Sequence, residues 1–496
     1  MALFRLAPLV LLSAVAYAST PANFWVGDDY NYIGPKGLDR VVGFFDPAVP
    51  SRAFYRPMNW TSWALDYFLY GITPFGWHVS SILIHTVAII AIALAVLKLF
   101  NNWNLALLVG ALFAVHPSHP ETVTWIGGRA DEVCGLFYFP ALLFFVAYLR
   151  RRQEGKEGRA DRSLYWLAFA MAAGTLLSKE MGVTIAAALL LTDFFFFTPE
   201  GRMRDPGYWQ QRIRLHLPFI LLVVAYGAMR YFLVAAHIVT NTYSGPSQLS
   251  LQGMINATTS NIMLAAGLWG GPLWVQSMPG PIKVLVLLAG LAVAAGLVRW
   301  LGRHAMYAVL WTVVTLLPTS NLSASRWMYI PSFGVCLLAG LVVVKLLEKR
   351  STEEGLRRRV GYGFALLLVA GWGIAVVYEN VLWHRSGEIA RSLLTQVKAL
   401  EPEPPRPATV YFSGAPANYK TALLFNTGLP SAMSLIYPTG GVDLHEVEQR
   451  LPDPVIQDAL KTPPVLRPNP LFMGYSDGVV QEYSSMDQLL RATGKR

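Results

Sequence analysis

The sequence predicts an all-α polytopic membrane protein of about eleven transmembrane helices, followed by a small C-terminal α/β soluble domain. Three observations carry this expectation. Of 496 residues, 54% are hydrophobic and only 14% are charged, against about 25% charged in soluble chains. The apolar residues gather in windows of roughly 20, the length that crosses a hydrocarbon core. The Lys and Arg residues behind the net charge of +10 cluster in short runs between those windows, so they read as topology signals and not as a nucleic-acid surface. Cys134 and Cys336 both lie inside apolar segments, which excludes a disulfide scaffold and a Cys-rich zinc module.

Spans are expected near 3–20, 80–100, 104–116, 133–149, 163–177, 182–197, 216–235, 283–301, 304–318, 329–347 and 361–379. Arg150, Arg151, Arg152, Lys156, Arg159 and Arg162 follow the fourth. Arg202, Arg204, Arg212 and Arg214 follow the sixth, Arg299 and Arg303 flank the eighth, and Lys349, Arg350, Arg357, Arg358 and Arg359 follow the tenth. By the positive-inside rule these loops face the cytoplasm. The stretch 236–282 contains no Asp, Glu, Lys or Arg and is expected on the far side, with an interfacial or re-entrant helix around 262–274. A full crossing there would reverse every later loop, and Gly267, Gly270, Gly271 and Pro272 argue against one. The first segment also carries signal-peptide features, Arg5 and Ala16-Tyr17-Ala18, but retention as a span is favoured. The expected organisation is a transmembrane module over 1–385, whose first external loop, 21–79, holds amphipathic helices. A linker over 386–408 with the Pro-rich run 401–407 follows, then an external α/β domain over 409–496 that opens on an alternating, strand-like stretch. The absence of a Walker loop and of 34-residue helical repeats disfavours an ATP-driven pump.

Several charged groups stand where the membrane makes them costly. Asp28 and Asp29 follow the first span among Trp25, Tyr30 and Tyr32. Neighbouring side chains of an extended segment point oppositely, so one acid is placed to accept a proton while the other holds a metal or a sugar hydroxyl; a turn and helix cap is the plainer alternative. The third span ends in a run containing His116, His119, Glu121, Trp125, Arg129, Asp131 and Glu132. His119, Glu121 and Asp29 are the candidates for a divalent cation, although Pro117 and Pro120 break any regular helical face and the spacing matches no recognised zinc pattern. Lys179 and Glu180 occupy the short turn between spans five and six, Arg230 the end of span seven, and Arg326 the entry to span ten. A charge within the hydrocarbon costs about 2.5–3.5 kcal/mol even on the lenient insertion scale. Arg129, Lys179, Arg230 and Arg326 are therefore read as a set able to hold an anionic headgroup, against the alternative that each snorkels to lipid. Arg56, His78, His116, His119, Glu121, Asp131 and Glu180 are read as substrate contacts or structural polar groups.

In order along the chain, Gly27-Asp28-Asp29, Tyr55-Arg56-Pro57, Pro74-Phe75-Gly76-Trp77-His78 with His85, His116-Pro117-Ser118-His119-Pro120-Glu121, Gly128-Arg129-Ala130-Asp131, Ser178-Lys179-Glu180 and Arg326-Trp327-Met328-Tyr329-Ile330-Pro331-Ser332 make the chain resemble the membrane part of the transmembrane and tetratricopeptide-repeat O-mannosyltransferases. These belong to the C-type glycosyltransferase superfamily (GT-C). The resemblance covers about residues 20–340 and lacks the repeats, so a protein acceptor does not follow from it. It implies a polytopic enzyme that passes a mannose-like sugar from a polyprenyl phosphate to a hydroxyl acceptor, on a protein Ser/Thr or on a glycan or lipid, at the non-cytoplasmic face. The one cofactor candidate is the divalent cation, and the expected setting is a bacterial inner membrane with site and C-terminal domain facing the periplasm. On this reading Arg129, Lys179, Arg230 and Arg326 meet the phosphate, Asp28 is the favoured base with Asp29 its partner, and in-line displacement inverts the anomeric centre. The competing expectation is a polyprenyl-phosphate flippase. A transporter places charge near the midplane and commonly shows two related halves, which this chain does not.

Overall fold

The computed structural model describes residues 2–33, 41–46, 54–156, 158–199, 205–234, 251–268, 278–319, 323–348, 354–447, 453–461 and 465–494. Helices of six or more residues are numbered: α1 Ala2–Ala16, α2 Pro57–Tyr70, α3 Pro74–Phe100, α4 Trp103–Ala114, α5 Arg129–Gln153, α6 Arg159–Leu176, α7 Ile185–Phe197, α8 Pro206–Met229, α9 Leu251–Ala265, α10 Gly280–Leu301, α11 Arg303–Leu316, α12 Ser332–Leu347 and α13 Glu354–Leu400. Each of the eleven expected spans coincides with one of these. Among the described residues, seven helical stretches are long and apolar enough to cross a membrane by length and composition, and α4 and α12 are shorter apolar helices. The chain is a multi-pass integral membrane protein.

Local signals account for the helix ends. Asn102 caps α4 by accepting the Leu105 N–H at 3.1 Å, and Pro57, Pro74 and Pro206 sit in first turns, where a missing N–H costs nothing. Arg150 closes the C-terminus of α3 by donating to the Lys98 and Leu99 carbonyls at 2.7 Å each. Ala88, Ala91, Ala93 and Ala95 of α3 are buried, and Gly340 of α12 lies against Leu105 and Val109 of α4. Small residues at such contacts let helix backbones approach closely, which is how membrane helices gain packing without a hydrophobic driving force.

One expectation, the linker from 386, is corrected, and another falls partly outside the described residues. Of the helix expected around 262–274, Gly270, Gly271, Pro272 and Trp274 lie outside the described residues, and 262–265 form the last turn of α9. It docks on protein groups, since Asn261 donates to the Thr319 carbonyl at 2.9 Å and the Ala265 carbonyl faces His116 Nε2 at 3.0 Å. The stretch 386–400, expected as linker, continues α13. Its Ile389, Ala390, Leu393, Leu394 and Val397 repeat at helical spacing and pack into the apolar core of the C-terminal domain. At 47 residues α13 is about 70 Å long, so one rigid rod joins bundle and domain.

The C-terminal domain holds β1 Ala408–Ser413, β2 Asn418–Tyr419, β3 Ala422–Leu423, α14 Leu429–Ile436, β4 Val442–Glu446, α15 Pro454–Ala459, β5 Pro470–Ser476, β6 Val479–Tyr483 and α16 Met486–Ala492. Its four-stranded sheet has the order β4-β1-β5-β6, with β1 parallel to β4 and β5, and β6 antiparallel to β5. This domain is not separate from the first loop. Trp25, Val26, Tyr30, Trp77, Trp125, Trp383, Leu424, Phe425 and Leu429 belong to one buried cluster. Gly27 donates its N–H to the Leu424 carbonyl at 2.6 Å, and a side chain at Gly428 would overlap the Gly27 carbonyl oxygen. Gly428→Ala is expected to cost about 1–3 kcal/mol by overpacking and to loosen this junction, read as faster protease cleavage in the Pro-rich stretch 402–407 of the purified chain.

Candidate active site

The alternation of helices brings the ends of α1, α4, α6, α8 and α11, and the starts of α3, α5, α7, α10 and α12, to one end of the bundle. Every acid, cation and imidazole singled out as a candidate lies at that end, and the structure sorts them into three groups.

The first is the acid loop. Asp29 is fully buried and accepts the Val26 N–H at 3.0 Å and the Gly127 N–H at 2.8 Å. Burial pushes its carboxyl up to about 7 against the opposing pull of those two N–H groups, with Asp28 adding a smaller upward push. Asp29 thus ties the first loop to the turn before α5. Asp28 is only half-buried, and its carboxylate accepts the hydroxyl of Thr427 from the C-terminal domain. Beside it Asn31 pairs with Ser431.

The second group is a fully buried ion pair. Arg129 has 0% exposure and donates to the Asp66 carboxylate, the Trp77 carbonyl and the Ser80 and Ser81 hydroxyls, the last two at 3.0–3.1 Å. Its guanidinium is saturated by α2 and α3, so its expected place among the phosphate-binding cations is corrected: it is a clamp between the first loop and the bundle.

The third group is a half-open charge cluster. Glu180 receives Arg56 through Nη2 at 2.6 Å and Nε at 3.1 Å, and Arg230 at 2.8 Å. Lys179 pairs with Asp131, and Arg326 with Glu121. Burial, with Arg56 and Arg326 adding to it, lowers the Lys179 ammonium to about 8 although Asp131 opposes the fall. Arg56, Arg230 and Arg326 keep 19%, 25% and 21% of their side chains exposed. Four cations therefore face three carboxylates, and Arg56 stands in this cluster while Arg129 does not. Trp125 joins this cluster to the acid loop. The Arg326 guanidinium lies 5.3 Å from its ring centre, and its indole N–H reaches the Val26 carbonyl at 3.3 Å.

The imidazoles stand apart as packing groups. His116 bonds Ser118 at 2.8 Å and the Ala265 carbonyl at 3.0 Å, and His119 bonds Ser332 at 3.0 Å. Burial lowers His116 to about 4 and holds His119 well below the usual range. His78 is buried with its ring beside Trp25. His119, Glu121 and Asp29 take separate partners and do not converge. Among the described residues no group of three His, Cys, Asp or Glu side chains is arranged to hold a metal.

The fold is that of a multi-pass helical membrane protein carrying a small C-terminal α/β domain. The structure matches that of ArnT from Cupriavidus metallidurans, bound to undecaprenyl phosphate, with a TM-score of 0.52 at 12% identity over 96% of this chain and 93% of that one, a likeness of fold. By sequence the chain is similar to the protein O-mannosyl-transferase TMTC1 of Mus musculus, 34% identical over 151 residues, which are 29% of this chain and 16% of the relative. It is also similar to tmtc2 of Xenopus laevis, 34% identical over 149 residues, 30% of this chain and 17% of the relative. The match thus spans about a sixth of those proteins. No family model matches the chain.

Two predictions follow from the burial of these groups. Arg129→Ala leaves Asp66 buried without its partner and is expected to cost about 3–5 kcal/mol, read as a drop in the thermal midpoint of the purified chain well beyond that of Arg326→Ala. Because the folded pKa of Asp29 lies above its unfolded value, the folded state loses stability as pH rises from about 4 to about 7, with no further loss above that from this group. Asp29→Asn is expected to flatten that decline in midpoint-against-pH curves.

Proposed function

We propose that the chain is a glycosyltransferase that moves a mannose-like sugar from a polyprenyl-phosphate donor to a hydroxyl acceptor at the non-cytoplasmic face, inverting the anomeric centre. The observation that carries this reading is the half-open set of Arg56, Lys179, Arg230 and Arg326, coupled through Trp125 to the loop that carries the accessible carboxylate of Asp28. The fold likeness to ArnT and the partial sequence similarity to O-mannosyltransferases agree with it.

The chemistry needs two things. As the bond from C1 to the phosphate oxygen breaks, the phosphate charge rises from about −1 to about −2, and cations fixed at a low-dielectric edge act most strongly where charge develops. Arg56 and Arg230 share Glu180, so an incoming phosphate can take over part of each fork without stranding a buried charge. The attacking hydroxyl must also lose its proton. Asp28 is the base in this reading, because its carboxylate already accepts a hydroxyl, that of Thr427, while Asp29 is occupied by backbone N–H groups and holds the loop. The acceptor oxygen bonds to C1, the electron pair of the broken bond leaves on the phosphate, and the proton passes to Asp28.

The test is transfer by the purified chain in liposomes carrying a polyprenyl-phosphate mannose and a hydroxyl acceptor. Asp28→Asn is expected to lower the rate by about 10²-fold or more with donor retention unchanged, whereas Arg230→Gln lowers donor retention. Full transfer by Asp28→Asn removes the acid assignment. Passage of the donor across the bilayer with no transfer by the unmodified chain replaces the transferase with a lipid carrier.

A further inference from the structure

We infer that the opposite end of the helical bundle carries a binding site for the headgroup of an anionic phospholipid. A cavity of about 710 Å³ lies there between the start of α6, the end of α5 and α8. It is lined by Tyr148, Arg152, Arg162, Tyr165, Trp166 and Arg214, with Asp161 at its edge, and its size falls within the roughly 300–1,000 Å³ typical of small-molecule sites. None of these residues belongs to the charge cluster described above, and the proposed transfer reaction uses none of them.

Charge, shape and surroundings point to the same occupant. Arg162 and Arg214 are exposed, while Arg152 donates to the Tyr148 hydroxyl at 3.0 Å and lies 5.7 Å from its ring centre, which aims the guanidinium along the cavity wall. Asp161, the carboxylate among the described lining residues, accepts the Gly158 N–H at the start of α6. Among the described lining residues three guanidiniums stand against one carboxylate, and the exposed pair Arg162 and Arg214 favours an anionic phosphate headgroup. The cavity has a structural cause in α8. Pro218 supplies no N–H for the Arg214 carbonyl, so the ladder is interrupted where the wall needs to part from α6. Tyr165 spans the gap by donating to the Leu215 carbonyl at 2.9 Å.

The two helices that flank the cavity also carry exposed apolar side chains. Trp166, Leu167, Ile213, Leu217 and Ile220 are all exposed large hydrophobic side chains on the two flanking helices, surface on which acyl chains can lie, and an indole such as that of Trp166 is a side chain enriched at membrane–water interfaces. Basic pockets between membrane helices on the positively charged side hold anionic lipid headgroups in this way. A free phosphate would satisfy the arginines but leave these apolar side chains without a role.

The experiment uses the full chain purified from mixed phosphatidylglycerol and phosphatidylcholine bilayers, with retained lipid identified by native mass spectrometry. The unmodified chain is expected to keep phosphatidylglycerol in preference to phosphatidylcholine. Arg162→Gln with Arg214→Gln is expected to lower that preference by roughly tenfold or more, on the scale of about 1 kcal/mol per basic group near the surface. Arg299→Gln, at the same end but outside the cavity, is expected to leave it unchanged. An equal loss in both variants would mean general surface attraction and overturn the site, as would equal retention of the two lipids by the unmodified chain. Displacement of phosphatidylglycerol by millimolar inorganic phosphate would make free phosphate the ligand and overturn the lipid assignment. Arg162→Glu alone, at an exposed position, keeps the test open if the double variant folds poorly.

Discussion

A guanidinium with no access to water has to be neutralised where it stands, and the placement of Arg129 beside Asp66 fixes much of what surrounds the acid loop. The pair pins α2 against α3, because the same guanidinium also holds the Trp77 carbonyl and two serines of α3. Arg129 is itself the first residue of α5, so the clamp sets where that helix begins. Two residues earlier the chain turns Gly127 toward Asp29, and two residues later it presents Asp131 to Lys179. One buried ion pair thus positions the acid loop and the cation cluster relative to a common helix start.

The remaining charges obey a different balance. The ion pairs of Arg56, Arg230 and Arg326 keep about a fifth to a quarter of these side chains in contact with solvent, so water screens them more than it does Arg129 and Asp66. They hold shape at little cost to rearrangement, whereas breaking Arg129 from Asp66 strands a charge. A site that must release one anion and receive another needs pairs of the first kind at its mouth and of the second kind in its frame. The distribution of exposure across these four arginines follows that division.

The spans were legible because the membrane leaves few ways to satisfy a backbone, and a run of apolar residues long enough to cross can do little else. The cluster was legible for the converse reason, since Lys179, Glu180, Arg230 and Arg326 stand where charge is costly. What the sequence could not supply was the partner of each cation. Arg56 and Arg129 both stand at helix starts, and only the fold places Glu180 beside the first and Asp66 beside the second. Residues 386–400 carried a readable helical stripe, Ile389, Leu393, Leu394 and Val397, that the neighbouring Pro-rich run obscured. Thr427 carried no signal at all, being one hydroxyl in a loop almost four hundred residues from Asp28.

That long-range contact changes what the C-terminal domain is. A domain on a flexible linker would sample many positions and contribute little to a membrane-edge site. Here α13 enters the domain as a continuous helix, the sheet shares its buried residues with the first loop, and the paired glycines at 27 and 428 leave no room for a side chain between the two backbones. The hydroxyl at Asp28 and the serine at Asn31 are thereby delivered by the domain itself. In the proposed reaction an acceptor meets Asp28 beside the Thr427 hydroxyl, so discrimination among acceptors falls to the junction of loop and domain, while recognition of the phosphate falls to the helix ends of the bundle.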